Sequence, residues 1–265
     1  MVSNSKKRGQ VTIFIILAIL LVAVALSIFY FIPKIKTTTG FDEKNPNLFL
    51  QSCLEDTLTE VVEIISLQGG SYELDFSYNY VDQDESDQTT NYLCYEQESF
   101  EASCTVLQPM LRTHIEKEIT RELTPEFNNC FNELISKYRA KGYDVDSTQG
   151  ELETLLLPNK VTLSSTAELR LTKKENLKQT DFKVSVESNI YDFVRIANEI
   201  LLWETAFGDA PIMNVMYNHQ EYDVQKRDLE GDDTKVYLLQ HLETLEKFNF
   251  ASRALNYQGE RSINV

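Results

Sequence analysis

The sequence is poor in glycine and histidine, two residue types on which catalytic motifs often depend. Only nine glycines and three histidines occur in 265 residues. There is no Gly-x-Ser-x-Gly motif, no glycine-rich phosphate loop and no dinucleotide fingerprint, which argues against serine hydrolases of that type and nucleotide-binding enzymes. His114, His219 and His241 each lack another His or Cys within four residues, so zinc-site spacing is absent. We interpret all three as surface residues and predict no catalytic residue, no cofactor and no metal.

Basic residues are scarce beyond the start of the chain, whose formal net charge is −16. The first 36 residues carry five Lys or Arg side chains and no acidic one, so the rest of the chain holds −21. Because such a chain repels phosphate backbones, we expect no nucleic-acid partner. Hydrophobic residues make up 42% of the sequence and aromatic residues 11%, which is typical of a folded core.

A run without charged side chains extends from Val11 to Ile32. At about 1.5 Å per residue it spans roughly 33 Å, which matches a hydrocarbon core of about 30 Å. We therefore predict a transmembrane helix at 11–32. The alternative is a cleaved secretory signal, whose apolar part is normally about 7–15 residues and precedes a small-x-small site. The candidate site Ala25 to Ser27 lies inside the apolar run.

Two signals place the region after this helix outside the cytoplasm. The basic cluster Lys6–Arg8 outweighs Lys34 and Lys36, which keeps the N-terminal residues 1–10 in the cytoplasm. Four cysteines favour an oxidising compartment. We expect a single-pass protein of the cell membrane that contacts the lipid bilayer through residues 11–32.

The remaining sequence predicts an α+β domain at 47–265, with amphipathic helices packed on antiparallel sheet, after a linker at 33–46. Apolar residues at three- and four-residue spacing predict helices at 47–68, 109–142 and 189–207. Pro125 is expected to kink or split the second helix, with Thr124 as the cap of its second half. Alternating patterns predict strands. These lie at 72–80, at 161–171 and 182–186 around a hairpin loop at 173–179, and in a meander at 221–229, 235–241 and 247–256. The segment 91–106 is predicted to form two short strands or a pair of loops.

The cysteines are predicted to form the pairs Cys53–Cys130 and Cys94–Cys104. Cys53 and Cys130 each lie on the apolar side of a predicted helix, so they can meet where the helices pack. Cys94 and Cys104 flank a short segment that can fold back to bridging distance. Three pairings are possible for four cysteines. Four reduced and buried thiols are the alternative.

Several features that resemble ligand sites have simpler interpretations. The acidic stretches Asp82–Asp87 and Asp228–Asp233 lack the spacing of an EF-hand loop, so we interpret them as solvated loops. The tyrosines of Tyr72–Tyr80 are typical of the core face of a sheet, with a carbohydrate-binding surface as the alternative. Trp203 is interpreted as a core or interface residue.

The segment Lys6-Lys7-Arg8-Gly9-Gln10-Val11-Thr12-Ile13-Phe14 resembles the class III, prepilin-type signals of archaeal surface proteins. This resemblance implies that a prepilin peptidase cleaves between Gly9 and Gln10 and leaves the apolar helix attached. Two departures count against assembly into a filament. Phe14 stands where pilins often have Glu, and the segment Pro33–Pro46 interrupts the helix that a pilin would continue.

Motifs further along resemble an uncharacterised group of archaeal membrane-anchored proteins, and they are Gln68-Gly69-Gly70-Ser71-Tyr72, Cys130-Phe131, Gly142-Tyr143-Asp144-Val145 and Phe248-Asn249-Phe250-Ala251. The resemblance covers most of the chain and implies no functional residues. We expect a structural or interaction protein of the cell envelope, pilin-like at its start, with envelope-protein partners or self-association. The alternatives are a surface solute- or glycan-binding module and an envelope hydrolase that uses paired carboxylates.

Overall fold

A computed structural model of the chain describes residues 41–81, 86–96, 104–173, 176–228 and 233–254. The predicted transmembrane helix, the processing site at Gly9 and Gln10 and most of the linker lie outside these residues. The described residues belong to one unit that begins at Phe41, inside the predicted linker. Phe41 is part of this unit because its ring packs edge-on against Tyr138, with 4.8 Å between the centroids.

Four helices lie in the described part of the chain, and three of them match predicted helices. They are α1 (Pro46–Leu67), α2 (Leu111–Ala140), α3 (Ile190–Phe207) and α4 (Ile212–Asn218). The apolar spacing of α1 produces one continuous buried stripe along its length. Gly69 and Gly70 end this helix with φ angles of 74° and 93°, which glycine adopts without steric cost.

Pro125 was expected to kink or split the second helix, and it does not split it, because α2 runs without interruption from Leu111 to Ala140. Proline removes one backbone N–H, and the buried side chains on both sides of it hold the helix on the core. Thr124 is not a cap, since its Oγ1 donates a hydrogen bond to the Thr120 carbonyl at 2.6 Å.

The strands form one mixed sheet and a three-stranded meander. In chain order they are β1 (Ser77–Val81), β2 (Asp87–Tyr95), β3 (Thr105–Val106), β4 (Asp144–Thr148), β5 (Leu152–Leu157), β6 (Lys160–Ser165), β7 (Glu168–Thr172), β8 (Asn176–Gln179), β9 (Phe182–Glu187), β10 (Tyr222–Asp228), β11 (Thr234–His241) and β12 (Lys247–Arg253). The first sheet has the order β1-β2-β12-β11-β10, with β3 beside β2. All its pairs are antiparallel except β2 with β12, where Ala251 lies opposite Tyr92.

The meander has three long strands, and each of them is interrupted by a short break. The three breaks lie side by side. The meander consists of the sheets β4-β7-β8 and β5-β6-β9, whose strands follow one another with short breaks. At this break a Cβ on Gly150 would lie 2.1 Å from the Ala167 nitrogen, closer than any side chain allows. A glycine at this position therefore lets two strands approach where the sheet changes direction.

Three predicted strand boundaries were wrong. The strand expected at 161–171 is divided into β6 and β7, which belong to different sheets. The strand expected at 72–80 begins only at Ser77, because side chains occupy the backbone groups before it. Glu118 accepts the Tyr72 N–H at 3.1 Å, and the Asn91 amide donates to the Glu73 carbonyl at 3.1 Å. The loop expected at 173–179 is shorter than predicted, because residues 176–179 form β8.

The core lies where the helices meet the two sheet systems. Helix α1 contacts β9 and β12, α2 contacts β4 and β5, and α3 contacts β2, β12 and β6. Apolar residues from all these elements form one buried cluster. This arrangement confirms the predicted α+β class and the predominance of antiparallel pairing among the described residues.

Candidate functional site

All four cysteines are joined in disulfides. Cys53 on α1 is bonded to Cys130 on α2, with 6.1 Å between their Cα atoms. Cys94 on β2 is bonded to Cys104 just before β3, with 5.6 Å between their Cα atoms. These are the two pairs expected from the sequence. The first bridge links the two long helices, and the second closes the segment between neighbouring strands.

The most enclosed polar cluster surrounds Glu204 on α3, which is fully buried. The Lys235 ammonium donates to Glu204 Oε1 and Oε2 at 3.1 and 3.0 Å, and also to the Gly208 carbonyl. The Tyr237 hydroxyl donates to Oε1 at 2.5 Å, and the Ser252 hydroxyl donates to Oε2 at 2.8 Å. The carboxylate is thus bound by groups from β11 and β12, and the cluster fastens α3 to the sheet.

Both oxygens of the Glu204 carboxylate already accept hydrogen bonds, so we interpret the cluster as structural rather than catalytic. Burial, followed by the charge of Glu204, raises the pKa of Tyr237 far above its ordinary value, so the phenol stays protonated and keeps donating. At the outer edge, Asp209 Oδ1 lies 3.7 Å from the Lys235 ammonium and accepts a hydrogen bond from Lys226 at 2.7 Å. Neither large cleft described below is lined by these residues, so we assign the cluster a structural role.

Sequence reasoning missed this cluster, although a signal was present. Glu204 falls at helical spacing from Ala197 and Leu201, which are buried on the inner face of α3. An acidic residue on an otherwise apolar face needs a buried partner. Lys235 and Tyr237 lie two residues apart on β11 and therefore on one face of that strand.

A second polar pair joins Ser71 to His114 on α2, with 2.7 Å between Oγ and Nε2. The prediction that His114 is solvated is wrong, because its ring is half-buried. Burial lowers the pKa of His114, and the nearby charge of Glu118 opposes that shift. Serine and histidine in contact are two members of a nucleophilic relay, which also needs a group to orient the histidine. Glu118 is instead bonded to the Tyr72 N–H and to Arg121, so the relay is incomplete.

An open cleft lies at the N-terminus of α3 and has a volume of about 780 Å³. Its walls come from the start of α3, the segment after α4 and the turn between β11 and β12. The lining is polar and predominantly acidic, and its charged residues are Glu187, Asp192, Arg195, Glu221, Glu243 and Glu246. A cleft of this size and charge suits a small neutral or cationic ligand with hydrogen-bond donors.

Glu246 lines this cleft and accepts hydrogen bonds from residues at the N-terminus of α3. Its Oε2 accepts hydrogen bonds from the Asn189 N–H at 2.8 Å and the Ser188 hydroxyl at 2.9 Å, and its Oε1 accepts from the Asn189 amide at 3.0 Å. A carboxylate at a helix N-terminus is stabilised by the free N–H groups and by the helix dipole. Glu246 thereby fixes the β11–β12 turn against α3.

Two histidines, His219 and His241, border the cleft and differ in their hydrogen-bond partners. His219 Nε2 lies 2.9 Å from Glu199 Oε2 on α3. His241 is buried rather than on the surface, which corrects the sequence prediction. The Thr244 N–H donates to His241 Nδ1 at 3.1 Å, so in the neutral ring the proton resides on Nε2.

A second cavity of about 550 Å³ lies on the other side of the same turn, against α1. It shares Glu187, Ser188, Thr244 and Glu246 with the first cleft. Leu245 of this turn lines the second cavity, is 63% exposed and has a φ of 62°, a left-handed conformation that leucine rarely adopts. The turn thus borders both open spaces and holds an exposed apolar residue in a strained backbone conformation.

The tyrosine segment does not form a single flat binding face. Tyr80 is buried, whereas Phe76 is 45% exposed. The Phe76 ring packs edge-on against Tyr95, with 4.7 Å between centroids, and Tyr78 packs edge-on against Tyr92 at 5.9 Å. These rings therefore contact one another rather than presenting parallel faces to a sugar. Trp203 is partly buried and packs against Phe207.

The described part of the chain contains neither a cluster of free metal ligands nor a helix that could span a membrane. Among those residues, three potential ligands come together only at Cys53, Glu126 and Cys130, and the two sulfurs there are bonded to each other. Most of the acidic stretches Asp82–Asp87 and Asp228–Asp233 lies outside the described residues. No described helix is both long and apolar enough to cross a membrane.

No protein-family model, no curated protein and no solved structure matches this chain.

Proposed function

We propose that the chain is a membrane-anchored protein whose domain from Phe41 onward lies outside the cytoplasm and acts by binding in the cell envelope. The observation that carries the proposal is the pairing of all four cysteines in two disulfides. Structural disulfides persist in oxidising compartments and are rare in the cytosol. The domain therefore belongs on the outer side of the membrane that residues 11–32 would cross.

The charge pattern at the N-terminus supports the same orientation. Lys6, Lys7 and Arg8 precede the apolar run, and cytoplasmic flanks of membrane helices are rich in basic residues. The outer domain is in turn acidic, which suits a soluble domain that stays apart from other acidic surfaces.

The alternative of a surface solute-binding module is favoured by one observation, the acidic cleft at the N-terminus of α3. Its floor is fixed by Glu246 and buried Asn189, so the cleft is preformed rather than dependent on a mobile loop. Tyr217 and Tyr222 line it, whereas the predicted tyrosines at 72–80 do not. Titration of the purified protein with small amines and sugars, followed by calorimetry, distinguishes this role from protein binding.

Processing at Gly9–Gln10 is a finer part of the proposal and rests on the resemblance to prepilin-type signals. Mass spectrometry of the native N-terminus tests it. A mature chain that begins at Gln10 supports a pilin-like start. A chain that begins at Met1 or Val2 removes the pilin-like interpretation and leaves a signal anchor.

Protease accessibility tests the proposed topology. In intact cells, added protease should digest the domain beyond Thr37 while a cytoplasmic marker protein remains whole. In inverted membrane vesicles the domain should be protected, and the protein should stay in the membrane fraction after alkaline extraction. Digestion only in inverted vesicles would place the domain in the cytoplasm and refute the proposal.

A further inference from the structure

The chain enters the described domain at an end that is rich in aromatic contacts. The Phe41 ring packs against Phe49 and Tyr138, with 6.2 and 4.8 Å between centroids. The Tyr138 hydroxyl donates to the Glu43 carbonyl at 3.0 Å, and the Tyr143 hydroxyl donates to the Glu43 carboxylate at 2.8 Å. These contacts fix the point at which the linker, which we also call the tether, joins the domain, beside the C-terminus of α2.

We call this end the tether pole and define it by residues 41–45, 137–144 and 172–173. Its cationic side chains outnumber its acidic ones: Lys44, Lys137, Arg139, Lys141 and Lys173 stand against Asp42, Glu43 and Asp144. One of these cations, Lys137, is paired at 3.1 Å with Glu133, one turn earlier on α2. The Lys173 ammonium donates to the Lys141 carbonyl at 2.7 Å, which brings the β7–β8 turn to the end of α2. The helix dipole places its negative end here and favours this concentration of cations.

One of the acidic groups at the tether pole is already engaged. The Tyr143 hydroxyl, followed by the charges of Lys141 and Lys173, lowers the pKa of Glu43. The Lys141 ammonium lies 3.6 Å from the Glu43 carboxylate. Arg139 and Lys141 are exposed, so their charges face solvent at the end of α2.

The rest of the domain has the opposite charge. No Lys or Arg occurs between Lys44 and Arg112, and the outward face of α1 carries exposed acidic residues, which are Glu55, Asp56, Glu60 and Glu63. The domain is therefore polarised, with positive charge concentrated where the tether attaches. A negatively charged surface would attract the tether pole and repel the remainder, which orients the domain.

We propose that the tether pole contacts the anionic phosphate headgroups of the membrane that holds the chain. This inference rests on the proposed function, because it requires residues 11–32 to be in the bilayer. The eight residues 33–40 then limit the distance between the tether pole and the end of the membrane segment to at most about 30 Å. Each Lys or Arg close to an anionic leaflet adds to the attraction, which decays over roughly 8 Å at physiological ionic strength.

Amine labelling of the full-length chain in nanodiscs tests this contact. Nanodiscs of phosphatidylcholine alone are compared with nanodiscs that also contain phosphatidylglycerol, and the labelled lysines are identified by mass spectrometry. Lys160, the exposed first residue of β6 at the other end of the meander, is the internal reference. Labelling of Lys141 and Lys173 relative to Lys160 should fall about fivefold in the anionic nanodiscs and recover in about 1 M salt.

A matched pair of variants separates the tether pole from the rest of α2. Arg139→Gln removes an exposed charge at the pole and should restore part of the labelling of Lys141 and Lys173. Lys117→Gln removes an exposed charge near the other end of the same helix and should leave that labelling unchanged. Equal relative labelling in the two kinds of nanodisc would refute headgroup contact while leaving membrane anchoring intact. A chain that fails to enter nanodiscs would refute the anchoring and with it this inference.

Discussion

Glu204 and Lys235 form an ion pair inside the domain, with 3.0 Å between Nζ and Oε2. Glu204 is fully buried, and Lys235 is 8% exposed. The pair links the C-terminal half of α3 to β11 and therefore joins elements that are about 30 positions apart in the sequence. The pair matters for the free energy of unfolding because removal of one partner leaves the charge of the other buried and unpaired.

Replacement of Lys235 by Met is expected to lower the free energy of unfolding by about 3–5 kcal/mol, because Glu204 loses its counter-charge. The double variant Glu204→Leu/Lys235→Met should lose less, since no buried charge remains. Urea denaturation measures all three proteins. As a control, Lys226→Met removes the partner of half-exposed Asp209 and should cost about 0–1 kcal/mol. A single variant as stable as this control would show that the pair is not a structural determinant.

The two disulfides should differ in the stability that they confer. Cys53–Cys130 spans 77 residues and Cys94–Cys104 spans 10. In the chain-entropy model these loops correspond to about 4.5 and about 2.7 kcal/mol. The double alanine variant at Cys53 and Cys130 should therefore unfold at lower urea concentration than the double alanine variant at Cys94 and Cys104. The reverse order would mean that constraint of the unfolded chain is not the main effect.

Gly150→Ala should destabilise the domain by about 3 kcal/mol or more, because the new Cβ overlaps the backbone at Ala167 and the strands must separate. Gly142→Ala is the matched comparison. A Cβ there meets no atom within 4 Å, but Gly142 has a φ of 82°. That variant should cost only the left-handed backbone penalty of about 1–2 kcal/mol. Thermal or urea unfolding distinguishes the two, and equal losses would rule out crowding at the break in the meander.

His114 should make the domain less stable as the pH falls. Burial lowers the folded-state pKa of His114 below the value of about 6.5 in the unfolded chain. The unfolded state then binds more protons between these two values, so the free energy of unfolding falls as the pH drops through that window. His114→Gln removes the titration and should reduce the difference between urea unfolding at about pH 7.5 and about pH 5.5. An unchanged difference would assign the effect to other groups.

Local patterns were sufficient for the three long helices and most of the strands. The apolar spacing at Leu50, Leu54 and Leu58 predicted α1, and the alternation at Val161 and Leu163 predicted β6, because burial of one face imposes these periods. The pair Cys53 and Cys130 was predictable for the same reason, since both lie on apolar faces that must pack. Each of these inferences needs only the residues of one element and the requirement that its apolar face be covered.

The tertiary structure decided what the local pattern left open. Tyr72–Phe76 alternates like a strand, but Glu118 and Asn91 bind its backbone groups, so β1 begins only at Ser77. Pro125 remains inside α2 because packing on both sides outweighs the loss of one hydrogen bond. The acidic cleft and the Glu204 cluster each combine side chains from three or more separate elements. The sequence by itself determined which faces must be buried, whereas only the fold determined which distant polar groups meet, because those meetings depend on long-range pairing such as that of β2 with β12.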